Sequence, residues 1–115
     1  MEKAYVLFIV IQEHYKVKGV LEVLEKVGVS GATVMDTMGA AKLAIPTYNM
    51  YDLASPMVDL ALASNFNKTI FSVIRNEETV LIAMDAIEKI LEMDRTKTGK
   101  GIMFTVPLVG QMGSL

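Results

Sequence analysis

The 115-residue sequence contains no cysteine, no tryptophan and only one histidine. Without cysteine the chain can form neither a disulfide nor a thiolate metal site, and a single histidine argues against a zinc enzyme. No feature of the sequence indicates export from the cell, so we expect a cytoplasmic protein. We also expect no covalent cofactor and no metal site.

Long apolar runs are missing as well. The longest, from Ala4 to Ile11, has eight residues, whereas a membrane span needs about 20. It follows Glu2 and Lys3 and has no small-residue cleavage site, so we expect neither a membrane span nor a signal peptide. Charge is nearly balanced, with 11 basic and 13 acidic residues. That balance argues against a nucleic-acid-binding surface over the whole molecule.

Apolar side chains, in contrast, are abundant. They make up 52% of the chain, and the mean hydropathy is +0.41. One domain over residues 1–115 would bury only about 60–68% of its unfolded surface. The apolar excess therefore predicts an interface between copies of the chain, and we expect an oligomer.

The spacing of apolar residues predicts four strands and two helices. The strands fall at 4–11, 32–38, 68–75 and 102–109, and the helices at 17–27 and 76–91. Gly28 and Asn76 are suited to end the first helix and to begin the second. Pro107 indicates a sheet edge, a bulge or the end of a strand. The first strand is apolar throughout, which predicts burial on both faces. Residues 40–67 are irregular. Ser55 and Pro56 favour a short helix at 57–63, and an extended segment is the alternative.

The element order is a βαβ unit repeated twice. It predicts an α+β, ferredoxin-like fold, in which one antiparallel sheet carries two helices on one face. The opposite face of the sheet then needs a cover, and another subunit is the natural candidate.

A basic, glycine-containing segment is the best candidate for an anion site. Three cations, two hydroxyls and two glycines within seven residues can present charge and backbone N–H groups to an anion. The segment is not a Walker A motif, and the alternative is a solvated connection between two elements. Its residues are Arg95, Thr96, Lys97, Thr98, Gly99, Lys100 and Gly101.

The stretch Val27–Val34, with the sequence VGVSGATV, resembles the corresponding stretch of the nitrogen regulatory P-II proteins. The element order and the basic loop before the last strand are similar too. The resemblance implies a non-enzymatic signalling homotrimer whose sheets line a barrel. It implies ATP, ADP or AMP in the clefts between subunits, and a loop after the second strand that engages a regulated protein partner, here residues 40–67.

The resemblance also assigns residues. Thr33 matches a threonine that contacts adenine, Gly39 matches a glycine at the base of the partner loop, and Lys42 matches a basic residue near the phosphates. Residues 95–101 correspond to a second phosphate-contacting loop, in which Gly99 and Gly101 match the glycines of the family.

Other positions depart from the family. Leu43 stands where the family has a glutamine for magnesium and 2-oxoglutarate, and leucine offers no oxygen ligand to a hard cation. An unrelated stretch, Pro46–Ala63, replaces the partner loop, and Lys100 replaces an aspartate. Residues 102–115 contain no arginine, whereas the family has phosphate-binding arginines there. These departures argue against the family's 2-oxoglutarate sensing.

Two other functions stay open at this level. The chain could be an assembly module that keeps the trimer without binding a nucleotide, or a ferredoxin-like enzyme with Asp36 or His14 in a cleft. The irregular segment contains four side chains that would suit either a partner-binding patch or packing against the sheet. They are Tyr48, Met50, Tyr51 and Met57.

Overall fold

The computed structural model describes residues 3–39, 66–93 and 101–113. Within these ranges the strands are β1 (Tyr5–Ile11), β2 (Ala32–Thr37), β3 (Asn67–Ile74) and β4 (Ile102–Pro107), and the helices are α1 (Val17–Lys26) and α2 (Glu77–Leu91). A single 3-10 turn at His14–Lys16 precedes α1. The predicted order of strands and helices is confirmed. The short helix expected at 57–63 lies outside the described residues.

The four strands form one antiparallel sheet in the order β2-β3-β1-β4. Strand β1 is central, so Phe8 lies opposite Phe71 of β3 on one side and opposite Phe104 of β4 on the other. Both helices pack against the same face of the sheet and against each other. This is the ferredoxin-like α+β arrangement that the sequence predicts.

The core lies between the helices and the sheet. Strand β1 contributes Leu7, Ile9 and Ile11, which are fully buried, and they meet Leu24 of α1 and Ile87 of α2 in one cluster. Complete burial of each such side chain contributes about 1.5–3 kcal/mol. This packing against the helices determines which face of each strand points inward.

The expectation that β1 is buried on both faces is wrong for the single chain. Its alternate residues Val6, Phe8 and Val10 are only partly buried, because the two helices cover one face and successive side chains point to opposite faces. The uncovered face, which we call the open face, also carries Phe104, of which 41% is exposed. The apolar character of these residues predicts that another element packs against them. No element within the described residues packs on this face of the sheet.

The local signals at the ends of the elements are confirmed. The side chain of Asn76 accepts a hydrogen bond of 2.7 Å from the backbone N–H of Thr79 at the start of α2. Gly28, just beyond α1, has a φ of 90°, which favours glycine. Pro107 is the last residue of β4, an edge strand. Asn67, which the sequence assigned to the irregular segment, belongs to β3.

Candidate ligand cleft

A cavity of about 780 Å³ opens at the corner of the sheet where β2 begins and β3 ends. We call it the corner cleft. Three parts of the chain that are distant in sequence form its walls. Strand β3 pairs with β2, and β3 and β4 both pair with β1 and end beside Tyr5. The lining residues are Gly28–Gly31, Thr33, Phe71–Arg75, Asn76, Thr79 and Gln111–Gly113.

The turn between α1 and β2 forms one wall and is held at both ends. The backbone N–H of Val29 donates to the carbonyl oxygen of Leu24 at 2.8 Å, which fixes the turn to the end of α1. The hydroxyl of Ser72 on β3 donates to the carbonyl oxygen of Gly31 at 2.5 Å. Since both contacts are made within the chain, this wall does not depend on a ligand for its shape.

Thr33 lies on β2, directly opposite Phe71 on β3. It is partly buried and lines the cleft. Its hydroxyl makes no hydrogen bond with any residue in the described ranges. The group is therefore available, as both donor and acceptor, to a molecule in the cleft.

The cleft combines apolar and polar groups. Phe71, Val73 and Met112 offer apolar surface, while serine, threonine, asparagine and glutamine side chains offer hydrogen bonds without charge. Arg75 adds one positive charge. Small-molecule sites are usually mostly apolar with a few polar groups, whereas polar and apolar surface are nearly equal in this cleft.

Of the other ligand-binding residues predicted from the sequence, the structure describes Gly39 and Gly101, and neither meets Thr33. Gly39 follows β2 and Gly101 precedes β4, and neither lines the corner cleft. Lys42 and residues 95–100 lie outside the described residues. The fold itself favours glycine at position 101, because the φ there is 116° and a Cβ would collide with the carbonyl oxygen of Val10.

The two residues considered for an enzyme lie elsewhere. His14 Nε2 is 2.7 Å from the carbonyl oxygen of Phe66, at the start of β3. Asp36 forms an ion pair with Lys68 across the β2–β3 pair. Neither residue lines the corner cleft. Nor do the described ranges contain a group of three or more histidine, aspartate or glutamate side chains that could hold a metal.

One tyrosine in the described ranges has a displaced pKa. Tyr15 donates a hydrogen bond to the carboxylate of Glu13, and this bond raises the pKa of the Tyr15 phenol above its ordinary value of 10.0. The tyrosine is exposed and does not line the cleft. Its titration therefore has no direct bearing on a ligand there.

Sequence reasoning missed Arg75, Asn76, Thr79 and Gln111 as lining residues. Arg75 reads as an ordinary cation at the end of a strand, and Asn76 as the cap of a helix. No motif links either of them to Gln111, which follows more than thirty positions later in the chain. Only the register of the sheet brings these residues to one corner.

The described helices include none that is both long enough and apolar enough to cross a membrane. By sequence, neither a known family nor a curated protein matches this chain.

Solved structures do match in fold. PII of Arabidopsis thaliana bound to citrate is 18% identical, covers 93% of this chain and 78% of its own, and has a TM-score of 0.59. The GlnK–ATP complex of B. subtilis is 15% identical, covers 94% of this chain and 84% of its own, and has a TM-score of 0.60. CPII of Thiomonas intermedia K12, bound to ADP, AMP and bicarbonate, is 16% identical, covers 95% of this chain and 92% of its own, and has a TM-score of 0.58. The chain thus has the fold of the PII nitrogen regulatory proteins, as the resemblance at Val27–Val34 implies.

Proposed function

We propose that this chain is a non-enzymatic, PII-like signalling protein that binds an adenine nucleotide in clefts between its own copies. The position of Thr33 carries the proposal. The threonine that the resemblance assigns to adenine lines the corner cleft, and its hydroxyl makes no hydrogen bond within the described part of the chain. Two proteins of the same fold were solved with adenine nucleotides, GlnK of B. subtilis with ATP and CPII of Thiomonas intermedia with ADP and AMP.

The open face supports association of copies. Phe71, Phe8 and Phe104 form a row across β3, β1 and β4, with ring centroids 6.1 Å and 5.0 Å apart. Val73 and Val106 on the same face are 41% and 42% exposed. A contiguous apolar patch of this kind marks an interaction surface. We propose that two further copies of the chain cover it in a closed ring of three.

The order of the strands explains why such a ring would complete the site. The corner cleft lies at the β2–β3 side of the sheet, whereas residues 95–101 lead into β4 at the opposite edge. Three strand spacings separate the two edges, which is about 14 Å. If the β2 side of one copy faces the β4 side of the next, the start of β4 in one chain would lie level with the end of β2 in the other. Thr33 lies four residues before that end, or about 13 Å, so a nucleotide with its base at Thr33 could reach the basic loop of the next copy with its phosphates.

Signalling would follow from ordering of the loops. The phosphates of a bound nucleotide would neutralise Arg95, Lys97 and Lys100 and fix the loop that carries them. That change would alter the surface that residues 40–67 present to a protein partner. Coupling of this kind requires that the two loop states differ in affinity for the nucleotide.

A second function is an assembly module that keeps the fold but binds no nucleotide. Two sequence features favour it: Leu43 in place of a ligating glutamine, and the absence of arginine from residues 102–115. In this case the cleft would be filled by the neighbouring copy and would admit no small molecule.

Isothermal titration calorimetry tests the proposal. ATP, ADP and AMP are titrated into the full chain with and without magnesium, and GTP serves as the control for base specificity. Thr33→Val removes one hydroxyl and should weaken binding about two- to twelvefold, because a neutral hydrogen bond is worth about 0.5–1.5 kcal/mol. Thr105→Val is the matched control, since Thr105 is a strand threonine outside the cleft.

The possible outcomes separate the two functions. If no adenine nucleotide binds at millimolar concentration, the assembly module is favoured. If nucleotides bind but Thr33→Val behaves as Thr105→Val does, the nucleotide binds elsewhere and the assignment of the corner cleft is wrong.

A further inference from the structure

Residues 108–113, which we call the β4 extension, form one wall of the corner cleft. The backbone N–H of Leu108 donates to the carbonyl oxygen of Ala4 at 2.9 Å, next to the pairing of β4 with β1. Beyond Leu108, the backbone of the extension makes no hydrogen bond to any other described residue. This wall therefore differs from the turn between α1 and β2, which hydrogen bonds hold at both ends.

Met112 is an apolar side chain that packs against nothing in the described part of the chain. It lines the corner cleft, yet it is 101% exposed. Val109, on the same extension, is 109% exposed but does not line the cleft. Removal of apolar surface from water is favourable. A molecule that fills the cleft can cover Met112, whereas Val109 lies outside its reach.

The register of the sheet determines which part of a nucleotide would meet the β4 extension. Strand β2 runs from Thr33 toward Gly39, and β4 begins at that same end of the sheet. Strand β4 finishes at the other end, where Pro107 is paired with Tyr5. With the base at Thr33 and the phosphates directed toward Gly39, the extension lies on the side of the base.

The chemistry of the extension suits a base better than a phosphate. The residues that it contributes to the cleft, Gln111–Gly113, carry no charge. A nucleobase presents a flat π-face on which side chains can pack. Methionine is unbranched and polarisable, so its thioether adapts to such a face and makes favourable contacts with aromatic rings.

We infer that Met112 closes over the nucleobase in the corner cleft, and that the β4 extension becomes fixed when the nucleotide binds. The inference rests on the proposed function, which places the base beside Thr33. The turn between α1 and β2 holds its shape without a ligand, so the extension is the wall that responds to one. Met112 then contributes affinity through the base and makes no contact with the phosphates.

Calorimetry with AMP on the full chain is the first test. Met112→Ser should weaken binding about two- to twelvefold, the range expected for a contact between sulfur and an aromatic ring. Met112→Leu keeps an apolar side chain of similar volume and should retain most of the affinity. Val109→Ser is the matched control and should bind AMP as the wild type does. Both side chains are exposed without a ligand, so the unliganded variants should melt at the wild-type temperature.

The second test measures the exposure of Met112 directly. Hydrogen peroxide converts exposed methionine to its sulfoxide, and mass spectrometry of the peptide that contains Met112 gives the rate. Free methionine in the same solution is the reference. Without nucleotide the two rates should be similar. Saturating AMP should slow the oxidation of Met112 at least about fivefold, because the base covers the sulfur.

Three results would contradict the closing of Met112 over the base. If Met112→Ser binds AMP as the wild type does, or if AMP leaves the oxidation rate unchanged, Met112 does not contact the base, although nucleotide binding still stands. If Met112 resists peroxide before AMP is added, a neighbouring copy already covers it. If the wild type binds no AMP, the proposed function fails, and this inference fails with it. Weaker binding by Met112→Ser alone, together with protection by AMP, supports both.

Discussion

The rings of Phe8 and Phe104 stack across β1 and β4, with centroids 5.0 Å apart and planes inclined by 16°. Phe71 extends the row to β3 at 6.1 Å. The row crosses the sheet on the face that the helices leave open. Since the described chain leaves Phe104 41% exposed, the stack presents apolar surface to whatever covers this face.

A charge introduced into this row should separate the copies. The carboxylate that Phe104→Asp introduces would cost several kcal/mol to bury at the proposed interface. Size-exclusion chromatography with light scattering should give about 38 kDa for the wild type, three times the 12.6 kDa of one chain, and a lower mass for the variant. Leu81→Asp is the control, because Leu81 is 59% exposed on α2, away from the open face. A wild type of single-chain mass, or a Phe104→Asp variant that stays trimeric, contradicts the ring.

Gly101→Ala should destabilise the fold. The new Cβ would collide with the carbonyl oxygen of Val10, and the φ of 116° is one that side chains rarely adopt. Strain of this kind costs about 1–3 kcal/mol, before any shift of β1. Urea denaturation measures the loss. Gly110→Ala is the matched control, since its Cβ would have no neighbour within 4 Å, and equal effects of the two substitutions would disprove the account of Gly101.

Asn76→Ala should lower the free energy of unfolding by about 1 kcal/mol, because the backbone N–H of Thr79 loses its side-chain acceptor. Asn76→Asp keeps an acceptor at the start of α2 and should retain most of the stability. Thermal unfolding of both variants checks the prediction. Equal losses for alanine and aspartate would mean that the side-chain acceptor at position 76 is not the source of the stability.

His14→Ala should leave nucleotide affinity unchanged and should cost about 1 kcal/mol of stability. The structural reason is that His14 contacts the carbonyl oxygen of Phe66 and not the cleft. Calorimetry and denaturation measure the two effects separately. A loss of nucleotide affinity without a loss of stability would make His14 a candidate site residue again.

The fold was predictable because its signals are local. Apolar spacing, the Asn76 cap and the Gly28 turn each involve residues within one turn or strand of each other. The cleft was predictable only at Thr33, through the resemblance. Arg75 and Gln111 meet there because β3 and β4 both pair with β1 and end beside Tyr5, and no local pattern encodes that meeting. The wrong expectation that β1 is buried on both faces has a similar origin. An apolar strand predicts burial, but it does not tell whether the same chain or another molecule packs against each face.

The central claim is that each site combines Thr33 of one copy with the 95–101 loop of the next. Mixed trimers test it directly. In one variant, Thr33→Phe fills the part of the site that the corner cleft provides. In the other, Lys97→Ala and Lys100→Ala together remove charge from the part that the 95–101 loop provides. Each variant alone should therefore bind nucleotide poorly. The two are then unfolded, mixed in equal amounts and refolded together, and AMP binding is measured by calorimetry. If the sites lie between copies in a ring, about a quarter of them regain two intact halves. If the refolded mixture binds no more AMP than the two variants do separately, while light scattering shows intact trimers, the site does not lie between copies and the account is wrong.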